Sequence, residues 1–160
     1  MDFLSNISSL MDSILGERNI TIDELSALFN EHPEQYHLAM LHQPYIDRIL
    51  SGEKTIESRF MNSRQPPYGK IGGSDIMLLK QTSGPVLGIA LVKEVLQYGP
   101  LKPGGAEEVL SKYKNELCVE KEFVNLKKNS KYAVLIRLAA SVKISPFSII
   151  KRDRRAWVVL

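Results

Sequence analysis

After Tyr36 turn residues cut the chain into short apolar runs that do not alternate regularly with helix-length segments, and this restricts it to a sheet-rich domain. The runs His37–His42, Thr55–Arg59, Ile76–Lys80, Val86–Leu96, Lys131–Ala139, Val142–Phe147 and Ala156–Leu160 have the composition of strands. Ile76–Lys80 and Val86–Leu96 form a hairpin through Gln81–Pro85, and the second strand is apolar on both faces, as in a buried barrel strand. Pro44–Leu50 has the pattern of one or two helical turns opened by proline, and Ala106–Tyr113 that of a helix with Val109 and Leu110 inward. From there to Phe123 the pattern is ambiguous. A mixed α+β fold, a small, partly open β-barrel of about six strands with flanking helices, fits better than a doubly wound sheet.

Residues 1–36 follow a different period and form an acidic helical extension to the barrel domain of residues 37–160. Phe3, Leu4, Ile7, Leu10, Met11, Ile14 and Leu15 recur every three or four residues, and Gly16 is a natural stop. Thr21 and Glu24 have capping-box spacing ahead of Leu25, Leu28 and Phe29, and Pro33 closes this second helix. Met1 to Glu34 carries seven acids and one arginine, a net of −6, whereas Lys127 to Leu160 carries nine bases and one acid, a net of +8. A polyanion would be drawn to the C-terminal part. The acidic helices could pack on the barrel, meet a partner or cover the basic surface.

At 160 residues and 44% hydrophobic, the chain suits one compact core. Cys118 is the single cysteine, no apolar run approaches the roughly 20 residues of a membrane span, and Met1–Leu15 lacks a basic n-region. The expected setting is therefore reducing and cytoplasmic, with no membrane partner. His32, His37 and His42 lack metal-ligand grouping, so neither metal nor other cofactor is expected. There is no nucleophile elbow and no phosphate loop ending in Lys-Ser or Lys-Thr.

The most informative segment is Tyr45-Ile-Asp-Arg-Ile-Leu-Ser-Gly-Glu-Lys-Thr-Ile-Glu-Ser-Arg59. Gly52 permits a tight turn out of a helix, so that Lys54 projects at the mouth of the next strand. Alternation then sets Thr55, Glu57 and Arg59 on one face, Ile56 and Ser58 on the other. Such a polar face lines a wet groove or simply faces solvent. Asn62–Ser74 is a long loop carrying Arg64, Tyr68 and Lys70, and loops of this length tend to be functional.

The segment resembles the opening signature of the ASCH family, whose fold is PUA-like, with Gly52, Lys54, Thr55, Glu57 and Arg59 at the signature positions after Ile49 and Leu50. Gly69–Asp75 resembles the loop that enters the family's next strand, Val86–Val95 its central strand, and Arg155-Ala156-Trp157 a closing strand. The resemblance implies a cleft that faces RNA, another nucleic acid or a modified nucleoside. In it the strand residues Lys54, Glu57 and Arg59 line that cleft; by their chemistry Arg64, Tyr68, Lys70, Arg154 and Arg155, with Lys151 and Arg152 beside the last two, are further candidate binding residues. Glu57 would accept from a base amino group while the cations hold phosphates. Tyr68, Phe147 and Trp157 are candidates for stacking, Trp157 being better suited to the core. The family also includes RNA-cutting members and a small amidohydrolase acting on an acylated cytidine, in which the strand lysine is implicated in catalysis. If this chain is an enzyme, the resemblance gives Lys54 and Glu57 that role. It departs from the amidohydrolase at Glu57, where that enzyme has threonine, and Glu107 and Glu108 are candidates for its later catalytic glutamate. Glu57 favours the ammonium form of Lys54, which then acts as a charged donor.

Overall fold

The structure, a computed structural model, describes residues 3–14, 18–29, 35–150 and 154–160. The proposed stops at Gly16 and Pro33, and the side chains of Leu15, His32, Lys151 and Arg152, lie outside the described residues. In chain order the elements are α1 (Phe3–Ile14), β1 (Asn19–Thr21), α2 (Ile22–Phe29), β2 (Tyr36–Leu41), α3 (Tyr45–Leu50), β3 (Ile56–Met61), β4 (Ile76–Gln81), β5 (Val86–Tyr98), α4 (Gly105–Lys112), α5 (Lys114–Leu117), α6 (Lys121–Lys127), β6 (Tyr132–Ile150) and β7 (Trp157–Val159). Among the described residues no helix is long and apolar enough to cross a membrane.

The sheet runs β3–β6–β5–β4–β2–β7, mostly antiparallel, with β2 parallel to β4 and β1 added in parallel at the far end of β6. Among the described residues it does not close: β3 has its ladder partner in β6 alone, and β7 in β2 alone. This is the expected mixed α+β, partly open PUA-like barrel, with two differences in strand count. Lys131–Ala139 and Val142–Phe147 are one strand, β6, continuous through Ala139, Ala140 and Ser141, where the pairing with β5 shifts register. β1, too short to show a period, was not anticipated. Pro44 sits just before α3 rather than in its first turn.

Alternation along the strands divides the apolar residues between two faces. Leu38, Ile76, Leu78 and Ile89 meet Leu4, Ile7, Met11, Leu25 and Phe29 of α1 and α2 in one cluster. The N-terminal helices thus pack on the sheet, and Asp12 accepts a hydrogen bond from the Ser145 amide at 2.8 Å. The capping box forms as its spacing requires: the Thr21 amide donates to Glu24 at 2.8 Å and the Glu24 amide to Thr21 Oγ1 at 3.1 Å. Ala39, Leu41, Met77, Leu79, Val134 and Ile136 face the other way and bury Ile46 and Ile49 of α3. A third cluster seats α4 and α5 against Ile56, Phe60, Ala133 and Leu135.

Candidate functional site

The site begins with the seating of α3. A Cβ on Gly88 would lie 2.9 Å from the Val142 carbonyl of β6 and 2.6 Å from Leu50 Cδ2 of α3, so a larger residue here would push on the β6 backbone and turn Leu50 aside. The Ser141 hydroxyl then donates to the Ile49 carbonyl at 2.9 Å. Gly52 turns the chain in the left-handed region, at φ +84°, and the Lys54 amide donates back to the Arg48 carbonyl at 2.9 Å. Lys54 consequently points inward. Its side chain is 2% exposed, its ammonium donates to the Leu117 carbonyl of α5, and it stands 5.3 Å from the Tyr45 ring centroid. Burial lowers its pKa and outweighs Glu57, which works in the opposite direction. The sequence reading weighted Glu57 above burial; burial is the larger effect, because α5 shuts the amine off from water, while the ion pair with Glu57 is kept.

On β3, residues directly opposite on β6 share a face, and Glu57 and Arg59 lie opposite Ile136 and Val134 of the inner cluster. Both side chains therefore point into the barrel at its open seam. Glu57 is held between cations, with Oε2 3.9 Å from Lys54 Nζ and Oε1 3.7 Å from Arg59 Nε. Arg59 spans the seam: Nη2 donates to the Met40 carbonyl of β2 at 2.7 Å, and the guanidinium lies 5.1 Å from the Trp157 ring centroid. Three buried polar atoms here have no hydrogen-bond partner, namely Glu57 Oε2, Ser58 Oγ and Arg59 Nε. Thr55 precedes β3 and is exposed, its amide donating to the Glu116 carbonyl at 3.1 Å.

Under Arg59 lies a network that the sequence did not reveal. The Trp157 indole N–H donates to His37 Nδ1 at 3.0 Å, so His37 is protonated at Nε2, which donates to Asp75 Oδ2 at 2.9 Å. Asp75 also accepts from the Gly72 amide at 2.9 Å. His37 is fully buried, and burial lowers its pKa against the opposing pull of Asp75. The parallel register that places Tyr36 opposite Ile76 brings His37 beside Asp75. Only knowledge of that pairing would have exposed the contact, since the two are 38 residues apart.

The open seam forms a cleft of about 790 Å³. Its charged lining residues are Glu57, Arg59, Lys80, Lys127, Arg154 and Arg155, and Tyr45, Phe60, Phe123 and Leu126 supply apolar surface. The edge of β3 is part of this cleft. The Thr55 and Met61 carbonyls accept from Leu138 and Lys131, so odd-numbered residues turn their main-chain groups toward β6. Those of Ser58 and Phe60 turn toward the seam.

Four of the expected residues, Glu57, Arg59, Arg154 and Arg155, are thus gathered on one cleft, and Lys54 lies behind Glu57. Arg64, Tyr68 and Lys70 are outside its lining. Arg64 stacks on Tyr68 at 5.9 Å and Tyr132 at 5.6 Å, the two rings meeting edge to face, while Lys70 is exposed. Phe147 is in the core with α1 and α2, Trp157 is covered by Arg59, and Glu107 and Glu108 are exposed on α4 away from the cleft. Among the described residues no group of three or more His, Cys, Asp or Glu could hold a metal.

A comparison with curated proteins finds no match. Among solved structures the fold is similar to ASCH from Zymomonas mobilis, at TM-score 0.62 and 18% identity, covering 78% of this chain and 87% of that one. A Tyr-to-Phe variant of the same Zymomonas mobilis protein gives 0.62 and 18% over 78% and 89%. The family model for the ASCH domain matches residues 40–139, which span α3, the Gly52 turn, β3 to β5 and the first part of β6. With well over half of its length matched, the chain belongs to the ASCH domain family.

Proposed function

We propose that this protein is a nucleic-acid-binding module, its ligand RNA or a modified nucleotide, and that the cleft between β3 and β2 is where the ligand sits. The observation that carries the reading is the charge arrangement: a buried carboxylate, Glu57, with one oxygen that accepts no hydrogen bond, at a cleft whose other charged lining residues are Arg59, Lys80, Lys127, Arg154 and Arg155. Carboxylates accept from base amino or imino groups, and cations neutralise phosphates. Glu57 Oε2 and Arg59 Nε are shut off from water, so a base reaches them by a rotamer step at the seam, and the hydrogen bonds it brings offset that cost. Arg64 and Tyr68, which pack together, and the exposed Lys70 lie outside the cleft lining and contribute little in this reading.

The test is titration of a labelled single-stranded RNA with wild type, Arg154→Ala and Arg64→Ala. Weaker binding by Arg154→Ala with Arg64→Ala unchanged supports the cleft. Equal losses at both positions, or no binding to any RNA, contradict it.

One observation favours an enzymatic reading of the same cleft, amide or RNA hydrolysis: burial pulls the Lys54 pKa downward, toward the neutral amine that a base or nucleophile requires. Against it, the amine is engaged with the Leu117 carbonyl and lies behind Glu57 and Tyr45 of the cleft lining. Turnover of acylated cytidines or RNA by wild type, lost in Lys54→Ala with the fold intact, would establish this reading; no turnover would remove it.

A further inference from the structure

α6 is a seven-residue helix with no fully buried residue, fastened at its start and middle. Glu120, just before it, pairs with Arg48 at 2.6 Å and donates its amide to the Tyr45 hydroxyl at 3.1 Å. Phe123 meets Tyr45 and Phe60 edge to face, at 6.0 and 6.2 Å. Spacings of three and four put Leu126 and Lys127 on the same helix face as Phe123, and all three line the cleft. Leu126 is 79% exposed there. Such a leucine adds almost nothing to the core, and none of the anchoring contacts of α6 uses it.

Resting on the nucleic-acid reading above, we infer that Leu126 is a binding residue: it forms the apolar wall against which the face of one unstacked base lies, so that the cleft takes single strands in preference to duplexes. A nucleotide is the ligand that requires three kinds of surface together. The ring face is apolar, the ring edge offers hydrogen bonds, and the phosphate is anionic. The cleft supplies Phe123 and Leu126, then Glu57, then Lys127 and Arg154. A bare phosphate needs only the cations, and an apolar partner has no use for the buried carboxylate. In a duplex both ring faces are occupied by neighbouring bases, so Leu126 has nothing to cover unless a base leaves the stack.

The experiment compares wild type, Leu126→Ala and Leu126→Tyr in binding a single-stranded RNA, the same strand in a duplex, and an abasic ribose-phosphate oligomer of equal length, at one salt concentration. Wild type should prefer the single strand. Leu126→Ala should bind it about tenfold more weakly, with unchanged affinity for the abasic oligomer and an unchanged urea midpoint. Leu126→Tyr, which offers a larger flat surface, should restore or exceed wild-type affinity. Wild-type affinity in Leu126→Ala, an equal loss on the abasic oligomer, or no preference of wild type for single strand over duplex overturns the inference. If the Arg154→Ala loss persists beside any of these, the nucleic-acid reading stands alone; if wild type binds no RNA at all, both fall.

Discussion

Glu57→Gln removes a charge and almost no volume, which makes it the sharpest probe of the seam. The carboxylate is 5% exposed and stands 3.9 Å from the Lys54 ammonium and 3.7 Å from Arg59 Nε. Glu57 is their counter-charge, and their hydrogen bonds go to the main-chain carbonyls of Leu117 and Met40. A neutral amide at position 57 leaves two positive charges with no counter-charge in a region nearly shut off from water. Removing one member of a buried ion pair typically costs about 3–5 kcal/mol, out of a total stability of about 5–15 kcal/mol. In urea, with a slope near 2 kcal/mol per molar, this is a midpoint shift of about 1.5–2.5 M. The control is Lys54→Met in both backgrounds. In the Glu57→Gln chain it removes a stranded charge, so the two changes together should cost less than their sum by about 0.5–3 kcal/mol. Unfolding followed by far-UV circular dichroism reads all four proteins. A midpoint shift below about 0.5 M for Glu57→Gln, or strict additivity with Lys54→Met, would refute the claim that the three groups form one charge-balanced unit.

Two further outcomes follow from the packing. His37 is buried neutral, with its folded pKa below the ordinary 6.5. Its contribution to stability is therefore complete above pH 6.5 and lost as pH falls from there through the folded value, because the unfolded chain takes up the proton first. Protonation also removes the acceptor of the Trp157 indole, so thermal melts followed by tryptophan fluorescence between pH 7.5 and 5 should fall in His37-containing protein and flatten in His37→Gln; a rise on acidification contradicts this. Gly88→Ala should lower stability by about 1–3 kcal/mol, since its Cβ would strike Leu50 and the Val142 carbonyl. A melt identical to wild type would show that β5 and the Val142 carbonyl are not as close as described.

Where local chemistry decided the outcome, the sequence was legible. The Thr21–Glu24 cap, the Gly52 turn, the β4–β5 hairpin and the run leading into β3 all depend on neighbours a few residues apart. The failures share a different cause, which is dependence on distant contacts. Whether Lys54 faces outward or inward is decided by the Leu117 carbonyl, 63 residues away. The junction at Ala139–Ser141 looks like a gap between strands, yet shifts of register with β5 carry one strand through it. His37 was unremarkable as a metal-ligand candidate, and its partners Asp75 and Trp157 come from other strands or their flanks. α6 stayed ambiguous because a stripe of Phe123, Leu126 and Lys127 is too short for its period to stand out, and Leu126 is left in solvent.

In the proposed function the cations of the β3–β2 cleft hold a nucleic-acid backbone. Its most direct test is the salt dependence of single-stranded RNA binding, measured for wild type and for Lys127→Ala/Arg154→Ala. Each single-strand phosphate neutralised contributes about 0.7 to the slope of log affinity against log salt, so the double variant should bind more weakly and lose about 1.4 from that slope. An unchanged slope, or wild-type affinity that does not respond to salt, would contradict the account.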